Sequence, residues 1–350
     1  MIIDFDIRFR YYLEMSTKLL ITGAGGYIGS NTTYLLLQNG FDVVCIDNFT
    51  TGFREPLEVM QEKYGKNRVA IYERDFTQNL DDIFEANPDI VAVVDFAASL
   101  SVSESMQNPE KYFYNNVCGN HSLLSSMLKY GVKNIVFSST CTVYGESEYI
   151  PVDEKHPLKP NNVYGESKRM VERMIEWYSQ LCGLNFIILR YFNVCGASDD
   201  SLIGDAKKPS VHLIQNAVRG ALGLEDFKVV CAEVDTPDKT PIRDYTNVVD
   251  LADAHLLGLK YLLGGGKSEH INIGTGAGNS VMEIIRKVEE VIDCKIPVGT
   301  GERRQGEAAK IIASIEKAKN VIGWEPKHSL EDSIVSLKKW YEARPKGWSH

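Results

Sequence analysis

The chain has 350 residues, 44% of them hydrophobic and 24% charged, and its 38 Lys and Arg against 47 Asp and Glu leave a formal charge of -9. That balance fits a globular protein with a sizeable core, in about two domains or one large α/β unit with a smaller part attached, and excludes a disordered or fibrous chain. The charge has the wrong sign for coating nucleic acid or anionic lipid, and no apolar run approaches the roughly 20 residues of a membrane span.

Residues 1–15 read as an N-terminal extension. Asp4, Asp6, Arg8, Arg10 and Glu14 interrupt its aromatics, so it lacks the apolar stretch of a secretory signal. From Lys18 onward short apolar runs alternate with helical spacing, the pattern of a parallel sheet with crossover helices. Strands are predicted at 19–22, 42–46, 69–72, 90–97, 134–138 and 185–190, and helices at 28–38, 108–130 and from Tyr164 through Leu181. The fold class is α/β: a Rossmann-type doubly wound parallel sheet over 16–194, joined by part of 240–264. After Asn193 the rhythm weakens, and the Gly-, Ser-, Asp- and Lys-rich stretch 195–209 marks the way into a smaller, mixed α/β domain over 195–350. There, helices are predicted at 250–263, 281–292 and 330–343, with short strands around Val229, Ile271 and Ile311. Trp324, Trp340 and Trp348 read as packing anchors. The seven cysteines are odd in number, scattered and without a C-x-x-C pair, which suggests neither disulfides nor zinc and fits a reducing, cytoplasmic setting.

Gly23, Gly26 and Gly29 punctuate the turn between the first strand and the helix opened by Tyr27 and Ile28. Backbone can turn tightly there and offer N–H groups to a pyrophosphate. Asp47 ends the second strand, where a carboxylate accepts from a ribose diol and repels a 2′-phosphate, so NAD is expected rather than NADP. Asp75, after the third strand, is placed to face the adenine.

Tyr164 and Lys168 share one face of a helix that starts after Pro160, Asn161 and Asn162. Such a pair is also a common solvated face. The hydroxyls of Ser138, Ser139 and Thr140, ending the preceding strand where ligands of such folds bind, make it a candidate base. Bringing a phenol from a pKa near 10 to about 7 takes about 4 kcal/mol, which an ammonium about 4 Å away supplies at an effective dielectric near 20. Thr140 can donate to the substrate oxygen that Tyr164 deprotonates.

These residues resemble the nucleotide-sugar members of the extended short-chain dehydrogenase/reductase family from about Lys18 to Trp348. The resemblance is carried by the run 21–30, Asp47-Asn48, Phe96-Ala97-Ala98, Asn115-Asn116-Val117, Phe137-Ser138-Ser139-Thr140, Val143-Tyr144-Gly145, the Tyr164/Lys168 pair, Arg190-Tyr191-Phe192-Asn193, Arg243-Asp244-Tyr245 and Arg303-Arg304-Gln305-Gly306-Glu307. It implies Tyr164 as base, Thr140 as its assistant, and Lys168 orienting the nicotinamide ribose and lowering the Tyr pKa. It also implies that Asn48, Phe96, Ala97, Ala98, Asn115, Ser138 and Tyr191 line NAD, and that Asn193, His212, Arg243, Arg304 and Glu307 hold a UDP-sugar. Family dehydratases and decarboxylases carry an acidic residue just before Val-Tyr-Gly; Cys141 and Thr142 stand there, so the simplest chemistry implied is inversion at C4 of UDP-glucose and UDP-galactose with no net redox change. UDP-glucuronate and UDP-N-acetylhexosamine remain as alternative substrates. A non-catalytic NAD-binding regulator would carry a broken Tyr/Lys pair.

Several positions depart from the commonest family pattern: Thr140 for Ser, Leu100 for Lys, His212 for Asn and Asn247 for His, with a medium-sized Ile311 beside the sugar C2 substituent. His121, His156, His255, His270 and His328 have no metal-ligand spacing, and no metal is expected. The helices at 108–130 and from Tyr164 match the pair that builds a four-helix interface in the family, which implies a homodimer.

Overall fold

Apolar runs too short for helices form the strands of the first half of the chain: β1 Lys18–Thr22, β2 Asp42–Asp47, β3 Val69–Glu73, β4 Ile90–Asp95, β5 Asn134–Thr140 and β6 Asn185–Tyr191. Leu19, Leu20, Ile21, Val43, Val44, Cys45, Val93 and Val94 are all buried, as expected of strands covered on both faces. Between them run α1 Tyr27–Gln38, α2 Glu55–Tyr64, α3 Asp81–Ala86, α4 Val102–Gln107, α5 Pro109–Tyr112, α6 Gly119–Lys129 and α7 Val163–Cys182. This computed structural model describes residues 17–207, 210–300 and 308–348; the extension 1–15 lies outside the described residues.

The seven-stranded sheet has the order β11-β6-β5-β4-β1-β2-β3, in which β11 is Glu269–Ile273. The pairs β2–β3, β1–β2, β1–β4 and β4–β5 run parallel. Strand order reverses between β1 and β4, the switch point beside which ligands of such sheets bind. Six strands lie where the apolar runs predict them. The seventh comes from far along the chain.

Two compact units result: one holds the chain through Gly145, Leu158–Arg190 and Ala252–Ile271, the other Glu146–Pro157, Tyr191–Leu251 and the chain from Asn272 onward. The first unit is completed by 252–271, which takes in the later part of 240–264 and continues to Ile271, while 146–157 leaves it. Backbone pairing explains the second difference: Val152 N–H donates to Ile312 O at 2.8 Å, and Val152 O accepts from Ser314 N at 2.7 Å and from Asn272 Nδ2 at 2.9 Å.

The second unit carries β7 Asn193–Cys195, α8 Leu213–Ala221, β8 Phe227–Val229, β9 Ile242–Arg243, β10 Tyr245–Asn247, β12 Asn279–Ser280, α10 Val281–Ile292, β13 Val298–Thr300, β14 Lys310–Ile311, α11 Glu316–Ile322 and α12 Leu330–Ala343, while α9 Val248–Leu263 runs from it into the first unit. Helices α8, α10 and α12 pack together. Trp324 and Trp340 are fully buried, and Trp324 Nε1 donates to Asp250 O at 2.8 Å. Ser280 with Glu283 and Ser329 with Asp332 form capping boxes that fix where α10 and α12 begin.

The predicted helix 108–130 is interrupted: Phe113–Cys118 is wound as π-helix between α5 and α6. Asn116 accepts from Ser99 N at 2.8 Å and donates to Ser99 O and Ser167 Oγ, each at 3.0 Å. A wider turn accompanies this inward-directed side chain.

Helix α7 is held to β5 and β6 by buried charge. Glu172 accepts from Ser139 Oγ at 2.6 Å and from Arg190 through Nε at 2.9 Å and Nη2 at 2.8 Å, while Arg190 Nη1 donates to Tyr144 Oη at 3.1 Å. One turn on, Glu176 pairs with Arg169 at 2.8 Å and with His270 at 3.2 Å. Burial pushes both carboxyls up and their hydrogen-bonded partners outweigh it, Arg190 at Glu172, and His270 and Arg169 at Glu176, which falls to about 2. These folded-state values are depressed, so their stabilisation is complete above the ordinary carboxyl value of 4.5 and is lost as pH falls toward about 2. Glu172→Gln leaves Arg190 without its counter-charge; a loss of about 3 kcal/mol, or a thermal midpoint lower by roughly 6–12 °C, is expected at neutral pH. Calorimetry across pH should show a shallower acid limb in the variant, and equal limbs would remove Glu172 from the balance.

Candidate active site

The glycine turn is shaped by close backbone approach. Gly23 has φ of +63°, and a Cβ there would stand 2.7 Å from Ala97 N. At Gly29 a Cβ would stand 2.2 Å from Gly23 O, so helix α1 and the turn can meet only without side chains. Gly26 caps α1 with no side-chain hydrogen bond, and the first turn, which Tyr27 and Ile28 begin, holds no acidic residue. The helix therefore directs N–H groups and partial positive charge at a point that its own side chains leave uncovered, which fits a pyrophosphate.

Asp47 is buried at the end of β2; Oδ2 accepts from Gly25 N at 2.9 Å and Oδ1 from Phe49 N at 2.8 Å. The carboxylate thus ties the glycine turn to the strand end, a role the spacing did not reveal. Asn48 is exposed and donates to Asp75 Oδ2 at 3.1 Å, while Asp75 Oδ1 accepts from Thr77 N at 2.9 Å and Thr77 Oγ1 at 2.7 Å. Burial raises the Asp75 carboxyl, but these donors outweigh it and hold the group below the usual carboxylate range. Phe96, Ala97 and Ala98 follow β4, half-buried beside the turn, with Phe96 N donating to Thr22 O at 3.1 Å. Backbone shape, an uncovered helix end and a carboxylate at the end of the second strand occur together, so these residues fit NAD.

At the end of β5 stand the side chains expected to carry the chemistry. Asn162 caps α7 by accepting from Gly165 N at 2.9 Å, and Ser105 Oγ accepts from Tyr164 N at 3.2 Å. Gly165 can lie against the turn Cys141–Tyr144 because a Cβ there would stand only 2.7 Å from Thr142 O. Thr140 Oγ1 pairs with Thr142 Oγ1 at 2.8 Å and accepts from Thr142 N at 3.2 Å. Tyr164 is buried, with the Tyr112 ring edge-on at 6.5 Å. Burial raises its phenol, Cys141 adds to that, and the Thr140 hydroxyl pulls it down.

Lys168, 2% exposed, donates to Ser138 O at 2.9 Å, and its Nζ lies 4.7 Å from the centre of the Phe137 ring. Its ammonium is held at the β5 carbonyl of Ser138, and burial is the largest influence on the Tyr164 phenol. Burial also lowers Lys168, to about 8, against the pull of Asp95 and Glu172. Ser138 Oγ meets His255 Nε2 at 2.9 Å, and half-buried Asn115 donates to Asn116 Oδ1 at 2.9 Å.

In the second unit Tyr191 and Asn193 are half-buried around the start of β7, which pairs with β10. Arg243 Nη1 donates to Ile242 O at 3.0 Å and Ala308 O at 2.8 Å. Half-buried His212 caps α8 without a side-chain bond, and burial lowers its imidazole against the pull of Asp205. Ile311 is buried in β14. Asn247 donates to Ser333 Oγ at 2.9 Å and accepts from Val249 N at 2.8 Å, so this departure from the family pattern caps α9 and braces α12. Leu100 is exposed. Arg304 and Glu307 lie outside the described residues.

Sequence reasoning passed over Ser105, Ser167, Asp95 and Glu172. Glu172 was within reach of it, since 164, 168 and 172 recur at one-turn spacing on one face. Among the described residues Glu172, Glu176 and His270 bring ligand-type atoms within 4.8 Å of one another. Arg169 and Arg190 already neutralise these carboxylates, so the trio is a charge network and carries no metal argument.

Residues 19–274 match the model of the NAD dependent epimerase/dehydratase family. The UDP-glucose 4-epimerase of Halalkalibacterium halodurans is 40% identical over 95% of this chain and 97% of its own. Among solved structures, UDP-glucose 4-epimerase from Bifidobacterium longum in complex with NAD+ and UDP superimposes with a TM-score of 0.89 at 33% identity, covering 95% of this chain and 100% of that one. The UDP-Glc/GlcNAc 4-epimerase from Campylobacter jejuni does so with a TM-score of 0.79 at 35% identity over 93% of this chain and 99% of that one. Relatives matched end to end, and a family model covering the glycine turn, β5 and α7, lead to one conclusion: this chain belongs to the NAD dependent epimerase/dehydratase family.

Proposed function

We propose that the protein is an NAD-dependent isomerase that inverts C4 of a UDP-hexose, interconverting UDP-glucose and UDP-galactose. The observation that carries this reading is the meeting, at the end of β5, of a buried phenol on α7, the Thr140 hydroxyl that acts on it, and a buried ammonium one helical turn away. Named relatives spanning nearly the whole chain support the same reading. When bound, NAD supplies a reversible hydride acceptor for C4 and, in its oxidised ring, the positive charge that the buried phenol lacks.

Tyr164 Oη takes the proton of the sugar 4-hydroxyl and returns it after the ring has turned over. Thr140 Oγ1 donates to the same oxygen and sets its distance from the phenol. Lys168, held by Ser138 O, orients the ribose. Cys141 and Thr142 provide neither an acid nor a base for elimination, so the oxidised sugar has only the return path. Asn193, His212, Arg243, Arg304 and Glu307 hold the uridine diphosphate, and the turn at Gly23, Gly26 and Gly29 with Asp47, Asn48, Asp75, Phe96, Ala97, Ala98, Asn115, Ser138 and Tyr191 holds NAD. A sound Tyr164/Lys168 pair argues against a non-catalytic regulator. Product chromatography with UDP-glucose, UDP-N-acetylglucosamine and UDP-glucuronate side by side tests the reading: turnover of the first supports it, and no turnover of any removes it.

A homodimer is part of the proposal. Met170, Trp177 and Leu181 repeat at helical spacing along α7 and are 40%, 52% and 76% exposed, with Tyr114 of the π segment 60% exposed. Surface of this kind on two neighbouring helices suits a four-helix interface. The seven free cysteines, Cys45 and Cys195 buried, suit a cytoplasmic location; no helix among the described residues is long and apolar enough to cross a membrane.

Tyr164→Phe is expected to lower turnover by about 10²–10⁴-fold while UDP binding by calorimetry stays within about twofold, and Thr140→Val by about 10²-fold; equal loss of turnover and binding would make Tyr164 structural. Denaturing the purified protein should release NAD. Gly29→Ala should purify without it, because the added Cβ meets the Gly23 carbonyl, and full NAD content in that variant would contradict the turn's role. Trp177→Glu with Leu181→Glu should halve the mass seen by sedimentation; an unchanged mass places the interface elsewhere.

A further inference from the structure

Strand β4 ends in a carboxylate with no exposed surface, Asp95. Such a group is costly to bury unless hydrogen bonds and an opposite charge compensate it. Oδ1 accepts from the Thr22 hydroxyl and from Ala97 N at 3.3 Å. Ala97 N also reaches the Thr22 Oγ1 oxygen at 3.3 Å, which leaves the hydroxyl proton directed at the carboxylate; that bond draws the carboxyl down against the larger upward push of burial. Oδ2 meets no donor in hydrogen-bond geometry among the described residues, and the Asn120 side chain draws on the same carboxylate more weakly.

Burial raises the Asp95 carboxyl overall, and foremost among the influences that oppose the rise is the charge of Lys168 on α7. Asp95 stands in register with Phe137 on β5, so the two side chains leave the sheet on the same face. Lys168 Nζ lies over that Phe137 ring and donates only one of its three protons to a described partner, Ser138 O. We propose that Asp95 is the buried counter-ion of Lys168, keeping it an ammonium and holding it at the end of β5, and so serves as a positioning residue for the chemistry at Tyr164. This rests on the proposed function for its consequence and, for its existence, on the Phe137 that both side chains share and on the pull between the two charges.

The other groups around Lys168 are accounted for. On its own helix, Glu172 is committed to Arg190 and Ser139, and Tyr164 lies one turn back. Cys141 stands beside Tyr164, and Tyr112 packs edge-on against it with its hydroxyl on Glu104 at 3.0 Å. His255 on α9 meets the Ser138 hydroxyl rather than its carbonyl. Thr22 and Asn120, which face Asp95, are uncharged. Burial lowers Lys168 to about 8, and Asp95 is foremost among the groups that oppose the fall.

Asp95→Asn keeps the shape and the acceptor for Thr22 and Ala97 while removing the charge. In holoprotein carrying 13Cε-labelled lysine, the Lys168 resonance, assigned by its loss in Lys168→Arg, should titrate near 8 in the parent and about one unit or more lower in Asp95→Asn. The alkaline limb of kcat with UDP-glucose should move down with it, with KM within about twofold. Thr22→Val, which removes a hydrogen bond and no charge, should leave the Lys168 midpoint where it was. An unmoved midpoint in Asp95→Asn, an equal shift in Thr22→Val, or a loss of kcat by the same factor at every pH would each overturn the proposal. Asp95→Ser, smaller and also uncharged, gives the same comparison if Asp95→Asn does not accumulate folded. The NMR midpoint does not depend on turnover, so a parent without epimerase activity would remove the proposed function and leave this titration to stand or fall by itself.

Discussion

A helix can present a tyrosine and a lysine to a strand end only if its rotation and its advance along the sheet are both fixed. Here α7 is fixed from end to end. Asn162 and Ser105 hold its first turn, Gly165 lets it lie against the turn after β5, and Ser167 meets Asn116 from the π segment. Lys168 binds the β5 carbonyl of Ser138, and Glu172 is clamped by Ser139 and Arg190. Rotating α7 by one residue, about 100°, would break most of these together. The placement of Tyr164 relative to Thr140 follows from them.

Rigidity of this kind carries an electrostatic penalty that the same residues offset. Tyr164, Lys168, Glu172, Arg190 and Asp95 are all buried, on one helix and the ends of two strands. Each would favour its neutral form in isolation. Opposite charges within the group keep Glu172 and Arg190 ionised, whereas the phenol has no comparable partner and rises. On the proposed function, a base held in its protonated state until a cation arrives beside it would stay quiet without its cofactor.

How much of this was legible in the sequence differs by scale. Strand positions, the first helix and the reach of α7 followed from apolar periodicity and from Asn162 as a cap, because those signals are local. The glycine turn and Asp47 were legible through spacing, though not the bonds from Asp47 to the backbone of Gly25 and Phe49. What escaped depends on partners distant in the chain. Residues 146–157 belong with the second unit through Val152 and Asn272, 120 residues apart. Lys168 donates to a carbonyl 30 residues earlier, an anchor that its i, i+4 spacing from Tyr164 could not announce. Asn247, conspicuous as a departure from the family pattern, proved to be a brace for Ser333.

The two backbone bonds of Asp47 also bear on cofactor engineering. A carboxylate that only read the ribose could be exchanged for a neutral or basic residue to admit a phosphorylated dinucleotide. In this chain the same two oxygens hold Gly25 and Phe49 in place, so neutralising the side chain loosens the loop that must grip either dinucleotide. Redesign toward NADP has to begin by supplying those amides with another acceptor, and only then turn to the 2′-phosphate.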